Sequence, residues 1–163
     1  MATTYDPIAT TTLSSATASI TFSSIAGTYT DLKLVLVNQI TTGGVSIRLQ
    51  FNSDTATNYS MTRLYGDGTA AGSSRQSTVN YVLLNYSAAQ NWQMLEADIF
   101  SYAGSTNKTV LSSASEDQNG SGSTSRTVGL WRSTNAITSL LIYPASSTFV
   151  AGTKATLYGI KAA

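Results

Sequence analysis

Apolar and polar positions alternate with a period of two in short runs along this chain. DLKLVLVNQ (31–39) puts Leu32, Leu34 and Leu36 on one face, and VSIRLQFN (45–52) sets Val45, Ile47, Leu49 and Phe51 against Ser46, Arg48 and Gln50. TTGG between them offers glycines able to take positive φ, so the two runs are expected to form an antiparallel hairpin with one wet face. ASITF (18–22), Tyr59 to Tyr65, STVNYVLLNY (77–86), WQMLEADIFSYA (92–103), KTVLSSAS (108–115), RTVGLWRS (126–133), AITSLLIY (136–143) and KATLYGI (154–160) also read as strands. The joints SAAQN, GSTN, EDQNGSGSTS and PASSTFVAGT have turn chemistry. Roughly eight to ten short strands without a helical period predict an all-β fold. We expect an antiparallel β-sandwich of jelly-roll type over residues 18–163, with a lipocalin-like closed barrel as the alternative. Residues 1–17, rich in Thr, Ser and Ala around Pro7, read as an extended N-terminal arm held in place by its own domain, a sister subunit or a larger assembly.

Composition sharpens this picture. The 163 residues suffice for one domain with a sizeable core. Only 10% are charged, whereas Ser and Thr make up about three residues in ten, so polarity comes from hydroxyls. Net charge is +1 with Lys and Arg scattered singly, which leaves no basic stripe for nucleic acid. Cys and His are both absent, removing disulfides, thiolate chemistry, the commonest metal ligand and the commonest general base. No secretory leader and no apolar stretch of membrane-spanning length is visible. The expectation is a protein made in the cytoplasm, without a membrane partner or cofactor.

Several groups invite a chemical reading. In NYSMTRLYGDG (58–68), Asp67 lies between two glycines and reads as a turn in which the carboxylate bonds its own backbone amides. Glu96 and Asp98 share one face of a strand about 7 Å apart, close to the spacing of paired glycosidase carboxylates, but Leu95, Ala97 and Ile99 make that face the solvent side. Asn52, Asp54 and Asp67 carry oxygens suited to a hard cation, as does EDQNGSGS (116–123), although Asx turns explain both. No Gly-rich loop opens a helix and no S-x-x-K occurs, so phosphate cradling and Ser–Lys catalysis lack their motifs. Trp92, Trp131 and Tyr65, with Tyr81, are candidates for an aromatic platform beneath sugar rings. No catalytic residue is assigned, and the chain is not expected to be an enzyme.

Three separated pieces carry a resemblance. SITFSSIAGTYTDLKLVL, IRLQFNSDTATNYSMTRLYGDG and AITSLLIYPASSTFVAGTKATLYGI, in this order, resemble a recurrent module of tailed-phage virion proteins. The matching positions are Ser24, Ile25, Tyr29, Asp31 and Leu32; Asn52, Asp54, Asn58, Tyr59, Ser60, Leu64, Gly66 and Gly68; and Gly152, Leu157, Tyr158, Gly159 and Ile160. The resemblance spans nearly everything after residue 17. It implies a structural virion protein, either a capsid decoration (cement) protein or a tail or head fibre that binds host-surface glycan. Its expected partners are its own copies, as a homotrimer, and the major capsid protein or other virion proteins. Tyr5, Pro7, Ile8 and Leu13 of the arm are the expected assembly contacts.

Overall fold

A computed structural model describes residues 4–161. Twelve strands follow one another: β1 (Tyr5–Thr12), β2 (Ile20–Phe22), β3 (Asp31–Asn38), β4 (Val45–Phe51), β5 (Tyr59–Gly66), β6 (Ala71–Val79), β7 (Val82–Ala88), β8 (Gln93–Phe100), β9 (Lys108–Asp117), β10 (Gly122–Trp131), β11 (Leu140–Pro144) and β12 (Lys154–Ile160). All pairings between them are antiparallel. They form an eight-stranded sheet, β1-β12-β3-β8-β9-β10-β5-β6, and a four-stranded sheet, β2-β11-β4-β7. The fold is therefore all-β and consistent with a sandwich. Among the described residues no helix is long and apolar enough to cross a membrane.

Alternation explains the core. Leu32, Leu34 and Leu36 of β3, Leu95, Ala97 and Ile99 of β8 and Leu157 of β12 meet Ile47, Leu49 and Phe51 of β4, Leu84 of β7 and Ile142 of β11 in one buried cluster. Gly129 on β10 lets the two sheets close together, because a Cβ there would stand 2.5 Å from Val82 Cγ1 of β7.

Three expectations need correction. Within the segment 1–17 read as an arm, residues 1–3 lie outside the described residues, and Tyr5–Thr12 form β1, laid along β12 from Tyr5↔Ile160 to Thr12↔Lys154. Its irregularity between Pro7 and Ala9 falls where proline has no N–H to donate, and the bulge turns Ile8 towards the core. The expected β3–β4 hairpin does not form: β3 pairs with β12 and β8, β4 with β11 and β7. The link between them is drawn to the β11–β12 loop instead, through an Ile40↔Phe149 bridge and a Thr41 N–H bond to Thr148 O at 3.0 Å, and so it crosses from one sheet to the other. The run 77–86 also breaks, at Asn80 and Tyr81, into the end of β6 and the start of β7, which lie in different sheets.

Candidate functional site

The small sheet ends at β7, and beyond that edge the β10-β5-β6 end of the large sheet continues. A cleft of about 750 Å³ opens there, lined by Met61, Arg63 and Tyr65 of β5, Ser74 and Gln76 of β6, Asn85 and Tyr86 of β7, and Ser123 and Ser125 of β10. Period-two alternation places Met61, Arg63 and Tyr65 on the inward side of β5, continuing the line of buried Tyr59.

Arg63 is the unusual member. It is only 7% exposed, with its guanidinium held between two rings, 4.1 Å from the Tyr65 centroid and 4.0 Å from that of Tyr86. Nε is buried without a hydrogen-bond partner, and no described carboxylate pairs with the group. Burial pulls its pKa down while Tyr65 and Tyr86 oppose the shift, and a guanidinium remains charged across the working pH range. Further in, Asn85 Nδ2 donates to Gln93 Oε1 at 2.7 Å.

The acids at the rim are already engaged. Glu116 Oε2 accepts the Ala89 N–H at 2.9 Å, and its Oε1 accepts Ser123 Oγ at 3.1 Å and Gln118 Nε2 at 3.2 Å. Asp67 Oδ1 accepts the Ala70 N–H at 2.7 Å and the Thr69 N–H at 2.9 Å, and these two amides lower its pKa. Gly68 follows at φ +85°, so the Gly-Asp-Gly is a turn, as the sequence suggested.

The proposed aromatic platform does not assemble. Trp131 is 2% exposed, packed on Phe51 and Tyr59 at centroid distances of 5.4 and 6.1 Å, and its Nε1 donates to Asp54 Oδ2 at 2.6 Å. It is a core residue because a large apolar ring at the end of β10 lies on the inward side. Trp92, 48% exposed, stands beside Gly152, and Tyr81 lies under the Arg48 guanidinium at 4.0 Å. Tyr65 alone of the set lines the cleft.

Glu96 and Asp98 do share the outer face of β8, where Lys33 Nζ of neighbouring β3 bonds both, at 3.0 and 3.1 Å. Partial burial pulls the Lys33 pKa down, but the two carboxylates outweigh it and raise it. The ammonium occupies the place between the acids that a sugar would need.

Asn52 Oδ1 accepts the Thr138 and Ser139 N–H groups at 2.8 and 3.1 Å, while Nδ2 donates to Ala136 O at 2.8 Å. Asp54 and Asp67 stand at opposite ends of β5, roughly 25 Å apart for eight residues. The cation set of Asn52, Asp54 and Asp67 therefore does not converge. Among the described residues no cluster of three or more Asp or Glu suits a metal. In 116–123 the chain turns tightly, with Asp117 Oδ1 accepting the Asn119 N–H at 2.7 Å and Gln118 N–H bonding Ser121 O at 2.8 Å.

Of the expected assembly contacts, Ile8 and Leu13 pack against this domain's own core. Leu13 also exchanges backbone bonds with Thr153 and Gly152, at 2.9 and 2.8 Å. Tyr5 is exposed with its ring edge-on to Tyr158 at 6.4 Å, and Pro7 is exposed at the bulge. Other apolar side chains stay uncovered on the outer face of the large sheet: Val37 beside Met94, then Phe100, Val128 and Leu64, the last 63% exposed.

Arg63 and Tyr86 were not singled out from the sequence. The one available signal is a charge at an inward position of an alternating strand, in the series Tyr59, Met61, Arg63, Tyr65. Comparison of the chain with protein-family profiles, with curated proteins and with solved structures returns no match.

Proposed function

We propose that this chain is a structural virion protein of a tailed bacteriophage, a capsid decoration protein that assembles as a homotrimer and seats on the major capsid protein. The observation that carries the reading is the set of uncovered apolar side chains Val37, Met94, Phe100, Val128 and Leu64 on the outer face of the large sheet, which they share with the Lys33, Glu96 and Asp98 ion pairs. Large apolar side chains left exposed along one sheet face, rimmed by charged groups, suit a contact surface. A stable contact of this kind buries about 1,000 Å² or more.

The finer jelly-roll assignment is supported by strand order. Leaving out β1, β12 and the β9–β10 hairpin, eight strands remain in chain order. In the small sheet they stand first, last, third and sixth; in the large one, second, seventh, fourth and fifth, with β9–β10 inserted after the seventh. Interlocked Greek keys give this order, an architecture used by viral capsid and lectin domains. The residues of the resemblance also act together: Tyr29 lies across Gly159, Asn52 ties down 136–139, and Asp54 joins Asn58 to Trp131. No catalytic role is proposed.

Light scattering on the purified chain tests the assembly, with trimer expected and Met94→Glu plus Val128→Glu reducing it to folded monomer. A wild-type monomer at all concentrations would sink the reading. Reconstruction of the parent particle then tests the location, with density for the chain expected on the shell. A second reading, a fibre domain that binds host-surface glycan, is favoured by the polar cleft around Tyr65.

A further inference from the structure

We propose that the cleft beyond β7 binds an acidic sugar, with Arg63 holding the carboxylate. This deepens the glycan reading and rests on it for the sugar, not for the anion.

The argument starts from the geometry of one guanidinium. Its two faces are covered by Tyr65 and Tyr86, which fix the plane. The five N–H donors of arginine lie in that plane, where aromatic faces cannot satisfy them. Nε is buried and unpartnered, and nothing among the described side chains supplies a carboxylate to the fork. A buried donor without an acceptor is costly, and each one in a folded protein calls for an explanation. A planar fork already oriented by packing matches a carboxylate through two parallel bonds.

Two features of the lining select the class of anion. Arg63 is accompanied in the lining by Asp67 and Glu116, whose carboxylates already accept neighbouring N–H and O–H groups, so a singly charged anion suits the cleft better than a doubly charged phosphate. The remaining wall is hydroxyl and amide, including Ser74, Gln76 and Ser125, which are partners for sugar hydroxyls. The exposed ring of Tyr86 offers an apolar surface for a pyranose face. A volume of about 750 Å³ falls in the range of small-ligand sites.

The test is NMR titration of the folded chain with sodium glucuronate, glucose, inorganic phosphate and N-acetylglutamate amide. Glucuronate is expected to move the Tyr65 and Tyr86 resonances and to bind more tightly than the other three. Arg63→Gln should weaken glucuronate roughly ten- to hundredfold, with Arg63→Lys only partly restoring it. If circular dichroism shows Arg63→Gln to be unfolded, Tyr86→Ala takes its place, and a severalfold loss is expected. Glucose binding as well as glucuronate would remove the carboxylate from the proposal, and equal binding of phosphate or the glutamate amide would remove the sugar. No shift with glucuronate at millimolar concentration overturns it outright. Glucose binding that moves Trp92 and survives Arg63→Gln would leave a glycan function standing while sinking this site.

Discussion

Replacing Asp54 by alanine removes three hydrogen bonds at a point where the core meets the surface. Its Oδ2 accepts Trp131 Nε1 at 2.6 Å and Asn58 Nδ2 at 2.9 Å, and its Oδ1 accepts the Ala56 N–H at 2.9 Å. The indole nitrogen belongs to a residue that is 2% exposed, so its donor has no other partner once the carboxylate is gone. Leaving such a donor unpaired costs about 1–3 kcal/mol, and loss of the Asx turn at Ala56 adds about 0.5–1.5 kcal/mol. The expected destabilisation is about 3 kcal/mol, a large share of the 5–15 kcal/mol or so that holds a typical domain together. Asp54→Asn keeps one acceptor oxygen and should cost about 1 kcal/mol.

Urea unfolding followed by tryptophan fluorescence measures both variants, in a Trp92→Phe background so that Trp131 alone reports. Acid supplies a second reading of the same interaction. Partial desolvation pulls the Asp54 pKa up, but the bonds from Asn58, Trp131 and Ala56 outweigh it and hold the pKa below its ordinary 3.8. The stabilisation is then complete above pH 3.8 and lost as pH falls through the lowered folded value, so the gap between wild type and Asp54→Asn should close in acid. An Asp54→Ala protein within about 0.5 kcal/mol of wild type at neutral pH would refute the reasoning.

Alkali should unfold the domain cooperatively. Burial raises the pKa values of Tyr59, Tyr102 and Tyr143 above the ordinary 10.0, so their contribution is full below pH 10.0 and lost as pH rises through the folded values. Lys108 and Arg63, pulled down by burial, work in the opposite sense, whereas Lys33 and Lys161, raised by their carboxylate partners, act with the three tyrosines. Phenolate absorbance should rise in two phases, the second coinciding with loss of ellipticity; a single phase for all nine tyrosines in an intact fold would contradict this. Deleting residues 2–15 strips β1 from β12 and uncovers the core behind Ile8 and Leu13. It should lower the melting temperature by roughly 5–10 °C, where a true arm would leave it unchanged.

Much of the fold was readable because inward and outward residues alternate cleanly. The series Leu32, Leu34, Leu36 and Ile47, Leu49, Phe51 are buried as the period requires, and KATLYGI is β12 at both ends. β1 escaped because YDPIATTT carries one proline and few apolar residues, and its strand character comes from the ladder that β12 offers. The missed crossover after β3 has a similar origin. TTGG is good turn chemistry, but a turn does not say whether the chain returns to its own sheet or passes to the facing one. That choice was made by Phe149 and Thr148, more than a hundred residues further on. The cleft was hidden for the same reason. Arg63 and Tyr65 are two residues apart, but Tyr86 arrives from the opposite sheet.

β12, which lies between β1 and β3, governs the order in which the molecule is able to form. Until the chain has been synthesised almost to residue 160, the first strand has nothing to lie against and one side of β3 stays open. Pairings so distant along the chain form slowly. Nascent chains growing side by side on one message therefore each carry a vacant slot of a single strand's width until their own β12 has been made, and a neighbour's β12 fits it as well as its own. Rapid synthesis should favour intertwined dimers, and slow synthesis self-contained domains.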